Sequence, residues 1–145
     1  MSGRANLVRR SCEGETTMNT FWNTLAVEDL ERSRAFYTGI GFEVRDMPGG
    51  APGISVHAAG GMVCLFRREV FASMIPGELC DAKRAQEIIQ SISTETRGGV
   101  DELVARVEKA GGRVLGKPGA QPWGYVAGFA DPDGHVWSVL TFASA

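Results

Sequence analysis

The chain has 145 residues, a formal net charge of −2, 43% hydrophobic and 22% charged residues. That length suits one domain with a substantial core, and the charge leaves no electrostatic footprint for nucleic acid or an anionic membrane surface. No apolar run approaches the length of a membrane span. The three cysteines, Cys12, Cys64 and Cys80, are odd in number and lack paired spacing. They argue against a disulfide framework or structural zinc site and fit a reducing, cytoplasmic setting.

Residues 1–17 have no hydrophobic period, and no apolar core of signal-peptide length follows Arg4, Arg9 and Arg10. They read as a tail, disordered or left from cloning, ahead of a single domain over 18–145. Phe21 to Val27 predicts a strand, with Phe21, Leu25 and Val27 on one face and Trp22, Thr24 and Ala26 on the other. Asp29 suits a helix N-cap, and Leu30, Ser33, Phe36 and Tyr37 follow at helical spacing until Gly39 and Gly41. Phe42–Arg45, Ile54–Ala58 and Met62–Phe66 predict three more strands, with a hairpin turn at Gly60-Gly61. Between Arg67 and Gln90 the pattern weakens. Glu69–Met74 is a candidate short helix, Ala82–Ile89 another, and the whole reads as a connector.

The first pattern then recurs. Gln90–Thr96 alternates like a strand. Val100, Leu103, Val104, Val107 and Ala110 mark an amphipathic helix, with Glu102 and Arg106 one turn apart. Arg113–Leu115, Tyr125–Phe129 and His135–Phe142 supply further strands. Between the last two, Pro132 and Asp133 suit the middle of a type I turn and Gly134 suits a positive φ. Gly41-Phe42-Glu43-Val44 matches Gly111-Gly112-Arg113-Val114, and the Gly60-Gly61 hairpin matches Asp133-Gly134, each offset by about seventy residues, far from a solenoid period. The expectation is an α+β fold of two βαβββ modules, about 20–66 and 90–142. Their uncovered sheet faces would curve around a cleft, with the helices outside.

The segments Asn23 to Tyr37, Gly39-Ile40-Gly41-Phe42, Val100 to Val104 and Phe129 to Trp137 resemble the vicinal oxygen chelate superfamily. This is the glyoxalase, bleomycin-resistance and extradiol-dioxygenase group. The resemblance implies paired βαβββ modules in a cupped mixed sheet, a homodimer, and a cleft for a small ligand. It also implies where metal-using relatives hold their ligands. Their His, seven residues before the Asp at position 29, is Trp22 here. Their Glu, four residues after the turn glycine at 134, is Ser138. The fourth-strand position is Cys64 by the internal repeat, and the fifth-strand position falls within Gln90–Ser93, which holds no His or carboxylate.

A divalent catalytic site needs three or four converging protein ligands. The chain has only His57 and His135, and each also reads as a structural histidine. His135 lies on the strand face opposite Ser138. Cys64 reads as a packing thiol, and Trp22 either as a stacking wall or as a packing residue at a junction. No metal or other cofactor is expected, and no nucleophilic catalytic set can be assigned.

By alternation, Val136, Ser138 and Leu140 share the cleft face, as do Met62, Cys64 and Phe66, while Val126 and Gly128 face in from the preceding strand. Thr24, Ser91 or Ser93, and Ser138 would supply hydroxyls, and Trp123 either forms a rim or is an exposed aromatic. The expected ligand-binding set is therefore Trp22, Thr24, Met62, Cys64, Phe66, Trp123, Val126, Ser138 and Leu140. It suits an aromatic or heterocyclic molecule held without the usual metal. Two alternatives stay open. One is a glyoxalase-type lyase or dioxygenase with an altered divalent-metal site using His57, Glu95 or a partner-subunit residue. The other is a dimeric interaction module with a vestigial cleft.

Overall fold

A computed structural model describes residues 17–144. Cys12 and nearly all of the expected tail lie outside the described residues. The element order is β1 (Asn23–Val27), α1 (Leu30–Gly39), β2 (Glu43–Asp46), β3 (Gly53–Ala58), β4 (Gly61–Arg67), α2 (Arg68–Met74), β5 (Ile89–Ser93), α3 (Arg97–Lys109), β6 (Arg113–Val114), β7 (Gly119–Gln121), β8 (Gly124–Ala130) and β9 (Val136–Phe142). A 3₁₀ turn covers Pro48–Gly50. The strands form two mixed sheets, ordered β1-β4-β3-β2 and β5-β9-β8-β6, with β7 also pairing with β8. In each sheet the unit's first strand runs parallel to its last. The two βαβββ units predicted from the repeat are therefore present.

Local chemistry explains the boundaries. The Asp29 carboxylate accepts from the backbone N–H groups of Glu31 and Arg32 and starts α1. Thr96 caps α3 through the Gly99 N–H. Gly41 follows α1 at φ 94°, a backbone conformation disfavoured for a residue with a Cβ. The β3–β4 turn is centred one residue earlier than expected. Ala58 pairs with Gly61, leaving Ala59 (φ 49°) and Gly60 (φ 78°) in a type I′ turn that matches the strand twist.

Residues 82–89 form no helix. Asp81 instead organises a turn, its carboxylate accepting from Lys83 N–H and its carbonyl from Arg84 and Ala85 N–H. The Gln86 amide reaches the carbonyls of Ala82 and Gly134, which ties this segment to the second unit. Strand β7 was not among the expected strands.

One apolar cluster serves both units. Leu25, Val27, Ile54, Val56, Val63 and Leu65 from the first sheet join Phe129, Trp137 and Val139 from the second, with Phe36 and Tyr37 of α1 and Val100 and Val107 of α3. Phe129 and Trp137 stack at 6.0 Å, and Tyr37 and Phe42 both pack on Trp137. The helix-facing sides of the two sheets thus meet around these aromatics, while each helix keeps one exposed face. The other side of each sheet points away from this core. The expectation that both uncovered faces line one cleft within a chain is not met, since the aromatic contacts hold the units together by their helix-facing sides.

Candidate functional site

The β8–β9 turn holds the two units together. Asp131 Oδ1 accepts from the backbone N–H groups of Asp133 and His135, both at 2.9 Å. Its Oδ2 accepts from the Tyr37 hydroxyl at 2.6 Å, and that hydroxyl accepts from Trp137 Nε1–H at 3.1 Å. Asp133 Oδ1 accepts from Glu28 N–H and from the Arg32 guanidinium. His135 Nε2 lies 2.7 Å from the Ala26 carbonyl, which can only accept, so the ring donates there. His135 is therefore a structural histidine that pins the end of β1. Burial raises the Asp131 carboxyl above its ordinary range, against the neighbouring His135 and the Tyr37 hydrogen bond. Burial, then the Asp131 charge, pushes the Tyr37 hydroxyl up as well.

The register of β8 and β9 separates two faces. Phe129 and Trp137 are paired and buried, as are Ala127 and Val139. Gly128 pairs with Ser138, and Val126 with Leu140, on the outer side. Val126 and Ser138 line a concavity of about 320 Å³ together with Ile89, Leu115 and Val136, with Lys117 and Gln121 also in its lining. Leu140 is half-buried further along the same face, and Phe142 beyond it is 68% exposed. Trp123 packs on Phe142 at 6.0 Å and stands beside this face. Ile89 was missed because β5 starts one residue before the predicted strand. Its alternation with Ser91, whose partner is Ser138, was the available signal.

The outer face of the first sheet differs. Ser55, Cys64 and Phe66 are buried there, and Thr24, Met62 and His57 are half-buried. The Phe66 ring lies against Gly53, where an added Cβ would come within 2.8 Å of it. Helix α2 packs against β1 and β4. Trp22 and Met62 instead line a cavity at the seam between the units. Thus Val126 and Ser138 come together on one unit, Trp22 and Met62 at the seam, and Cys64 and Phe66 inside the first unit.

The positions that the resemblance marks for metal do not fit one. An indole at 22, a hydroxyl at 138 and the amide, hydroxyl and apolar side chains of Gln90, Ser91, Ile92 and Ser93 offer no His or carboxylate. Cys64 is sealed from water, and desolvation raises its thiol pKa, which disfavours the thiolate a metal requires. His57 is engaged with the Ser55 hydroxyl at 2.9 Å. Among the described residues no three His, Cys, Asp or Glu side chains converge. Cys64 and Cys80 are free thiols, and no described helix is long and apolar enough to cross a membrane.

A family model described as the Glyoxalase/Bleomycin resistance protein/Dioxygenase superfamily matches residues 19–139. No curated protein matches the sequence. Among solved structures, the chain is similar to hypothetical protein SA1046 from S. aureus, at 29% identity and TM-score 0.77, over 87% of this chain and 95% of that one. A glyoxalase-related enzyme from Fulvimarina pelagi aligns at 23% identity and TM-score 0.73, over 86% and 88% of the two chains. TnmS3, an antibiotic binding protein from Streptomyces sp. CB03234, aligns at 26% identity and TM-score 0.62, over 89% and 99%.

Proposed function

The chain belongs to the glyoxalase/bleomycin resistance protein/dioxygenase superfamily, and from that premise we propose that it sequesters a small aromatic or heterocyclic molecule without a metal. The observation that carries this reading is the open apolar concavity around Ser138 on the second sheet. Ile89, Leu115, Val126 and Val136 give it apolar walls. Ser138 supplies one hydroxyl that can donate or accept, and Lys117 and Gln121 offer polar contacts. This composition suits binding and orientation, and it supplies no acid–base pair. TnmS3, an antibiotic binding protein of similar fold, supports the same class of function.

The concavity holds about 320 Å³ and is open on one side, whereas small-molecule sites bury most of a ligand. A second wall is needed. We infer that a second copy supplies it, its first-sheet outer face closing over the second-sheet outer face in a two-fold homodimer. Ile89, Leu115, Trp123 and Phe142 are exposed large apolar residues on or beside that face and would be covered. The free thiols of Cys64 and Cys80 suit a reducing, cytoplasmic compartment.

The test is a fluorescence titration with the aromatic probe 8-anilinonaphthalene-1-sulfonate. The reading expects saturable binding of one probe per chain, unchanged by EDTA, and weakened at least about tenfold by Ser138→Trp, since a buried wrong shape costs more than 1.4 kcal/mol. Equal binding by the variant, or binding abolished by EDTA and restored by a divalent metal, would overturn it.

A further inference from the structure

We propose that the chain binds a phosphate group, free or esterified to a small molecule, in a cationic cavity beside the β8–β9 turn. The cavity measures about 510 Å³ and is lined by Lys83, Arg84 and Gln86, by Arg113 of β6, and by Asp131 and Gly134 of the turn. That volume lies within the roughly 300–1,000 Å³ of small-molecule sites. It shares only Val136 with the proposed outer cleft, and neither reading depends on the other.

The fold assembles these cations from separate stretches. Gln86 donates to the carbonyls of Ala82 and Gly134, which ties its segment to the β8–β9 turn. The Lys83 stem lies against Gly134, where an added Cβ would come within 3.0 Å of Lys83 Cγ. Arg113 pairs with Ala130 across β6 and β8, and it faces out where Val114 turns toward the core.

The positive charge is uncompensated. Arg32, Arg34, Arg45, Arg67 and Arg106 each hold a carboxylate. Among the described residues, Lys83, Arg84 and Arg113 hold none. Yet the whole chain carries a net charge of −2, so the cavity inverts the sign of its surroundings. The carboxylate in the lining, Asp131, is buried, and its oxygens accept from Tyr37, Asp133 and His135. Asp81 accepts from the Lys83 backbone N–H and does not line the cavity. Helix α3 ends nearby at Gly111, but the N–H groups of Ala110, Gly111 and Gly112 occupy the carbonyls of Arg106, Glu108 and Val107. An incoming anion therefore meets cations with few free acceptors to oppose it. Two guanidinium forks match the oxygens of a phosphate, and a doubly charged anion can answer more than one of them.

The experiment titrates the full ¹⁵N-labelled chain, in phosphate-free buffer, with inorganic phosphate, glycerol 3-phosphate and glycerol. Salt is held at about 0.01 M, where screening is weak. The Arg84 and Arg113 Nε–H resonances should shift saturably with a phosphate, at a Kd below about 1 mM, and stay in place with glycerol. Tighter binding of glycerol 3-phosphate would identify an esterified ligand, and tighter binding of inorganic phosphate a free one. Lys83→Ala and Arg113→Ala, both at exposed positions, should each weaken binding at least about threefold and together at least about tenfold. Arg45→Ala removes a cation paired with Glu43 on the first sheet and should leave the affinity unchanged. Glycerol 3-phosphate has no ring, so its failure to bind would leave the proposed aromatic cleft standing. Unmoved Arg84 and Arg113 resonances at about 10 mM of either phosphate, ten times the expected Kd, would overturn the proposal. So would equal shifts with glycerol, or an equal loss from Arg45→Ala and Arg113→Ala.

Discussion

The two sheets are built on the same βαβββ plan, yet their outer faces have diverged. On the first sheet that face is largely closed, with Ser55, Cys64 and Phe66 buried and α2 lying against β1 and β4. On the second it is open, with Ser138 and Leu140 half-exposed, Ile89 59% exposed and Phe142 68% exposed. The inner faces show no such contrast, because both feed one cluster centred on Phe36, Tyr37 and Trp137. A repeated fold can keep its shared core while assigning opposite tasks to equivalent surfaces. In this chain the first face is largely packed within its unit, and the second leaves apolar side chains exposed.

Paired truncations on the two outer faces test that contrast most strongly. Phe66→Ala should cost about 3–5 kcal/mol, as deletion of a buried aromatic ring does, whereas Phe142→Ala should cost under about 1 kcal/mol. Denaturant melts of both variants decide it, and similar losses would break the comparison. The shared seam should respond next. Tyr37→Phe strips a partner from both Asp131 and Trp137 and should cost about 2–4 kcal/mol. Loss of both outer-face signals in one transition would confirm a common core.

The smallest effect is a pH dependence. Burial raises the native Asp131 carboxyl above its reference value of 3.8. A raised native value means the protonated form is favoured on folding. The resulting stability is fully present below 3.8 and is lost as pH rises through the native value. Relative to Asp131→Asn, the unmodified chain should therefore lose stability as pH rises from 3.8 through that window. A gain over the same range would mean that the three donors on Asp131 outweigh burial.

Much of this was legible in the sequence. Asp29, Gly41 and the Asp131–Gly134 turn each carry a local chemical reason for their geometry, and strand alternation put Ser138 and Trp137 on opposite faces. Two features were not legible. Residues 82–89 have helical composition, but Asp81 and Gln86 spend their hydrogen bonds on a turn and on Gly134. The way the units pack depends on long-range aromatic contacts between Tyr37, Phe42, Phe129 and Trp137, which no local period encodes. That packing explains why Met62 and Val126, expected in one cleft, line different cavities.

The central claim is that the ligand cleft pairs the first sheet of one copy with the second sheet of another. Complementation tests it most directly. Thr24→Arg places a charge on the first sheet's outer face, and Ser138→Arg places one on the second's. Neither homodimer should bind the aromatic probe. After subunit exchange in an equal mixture, about one quarter of the sites should recover, because half of the dimers are mixed and each has one unaltered cleft. No recovery despite confirmed exchange would contradict the account and place the whole site within a single chain.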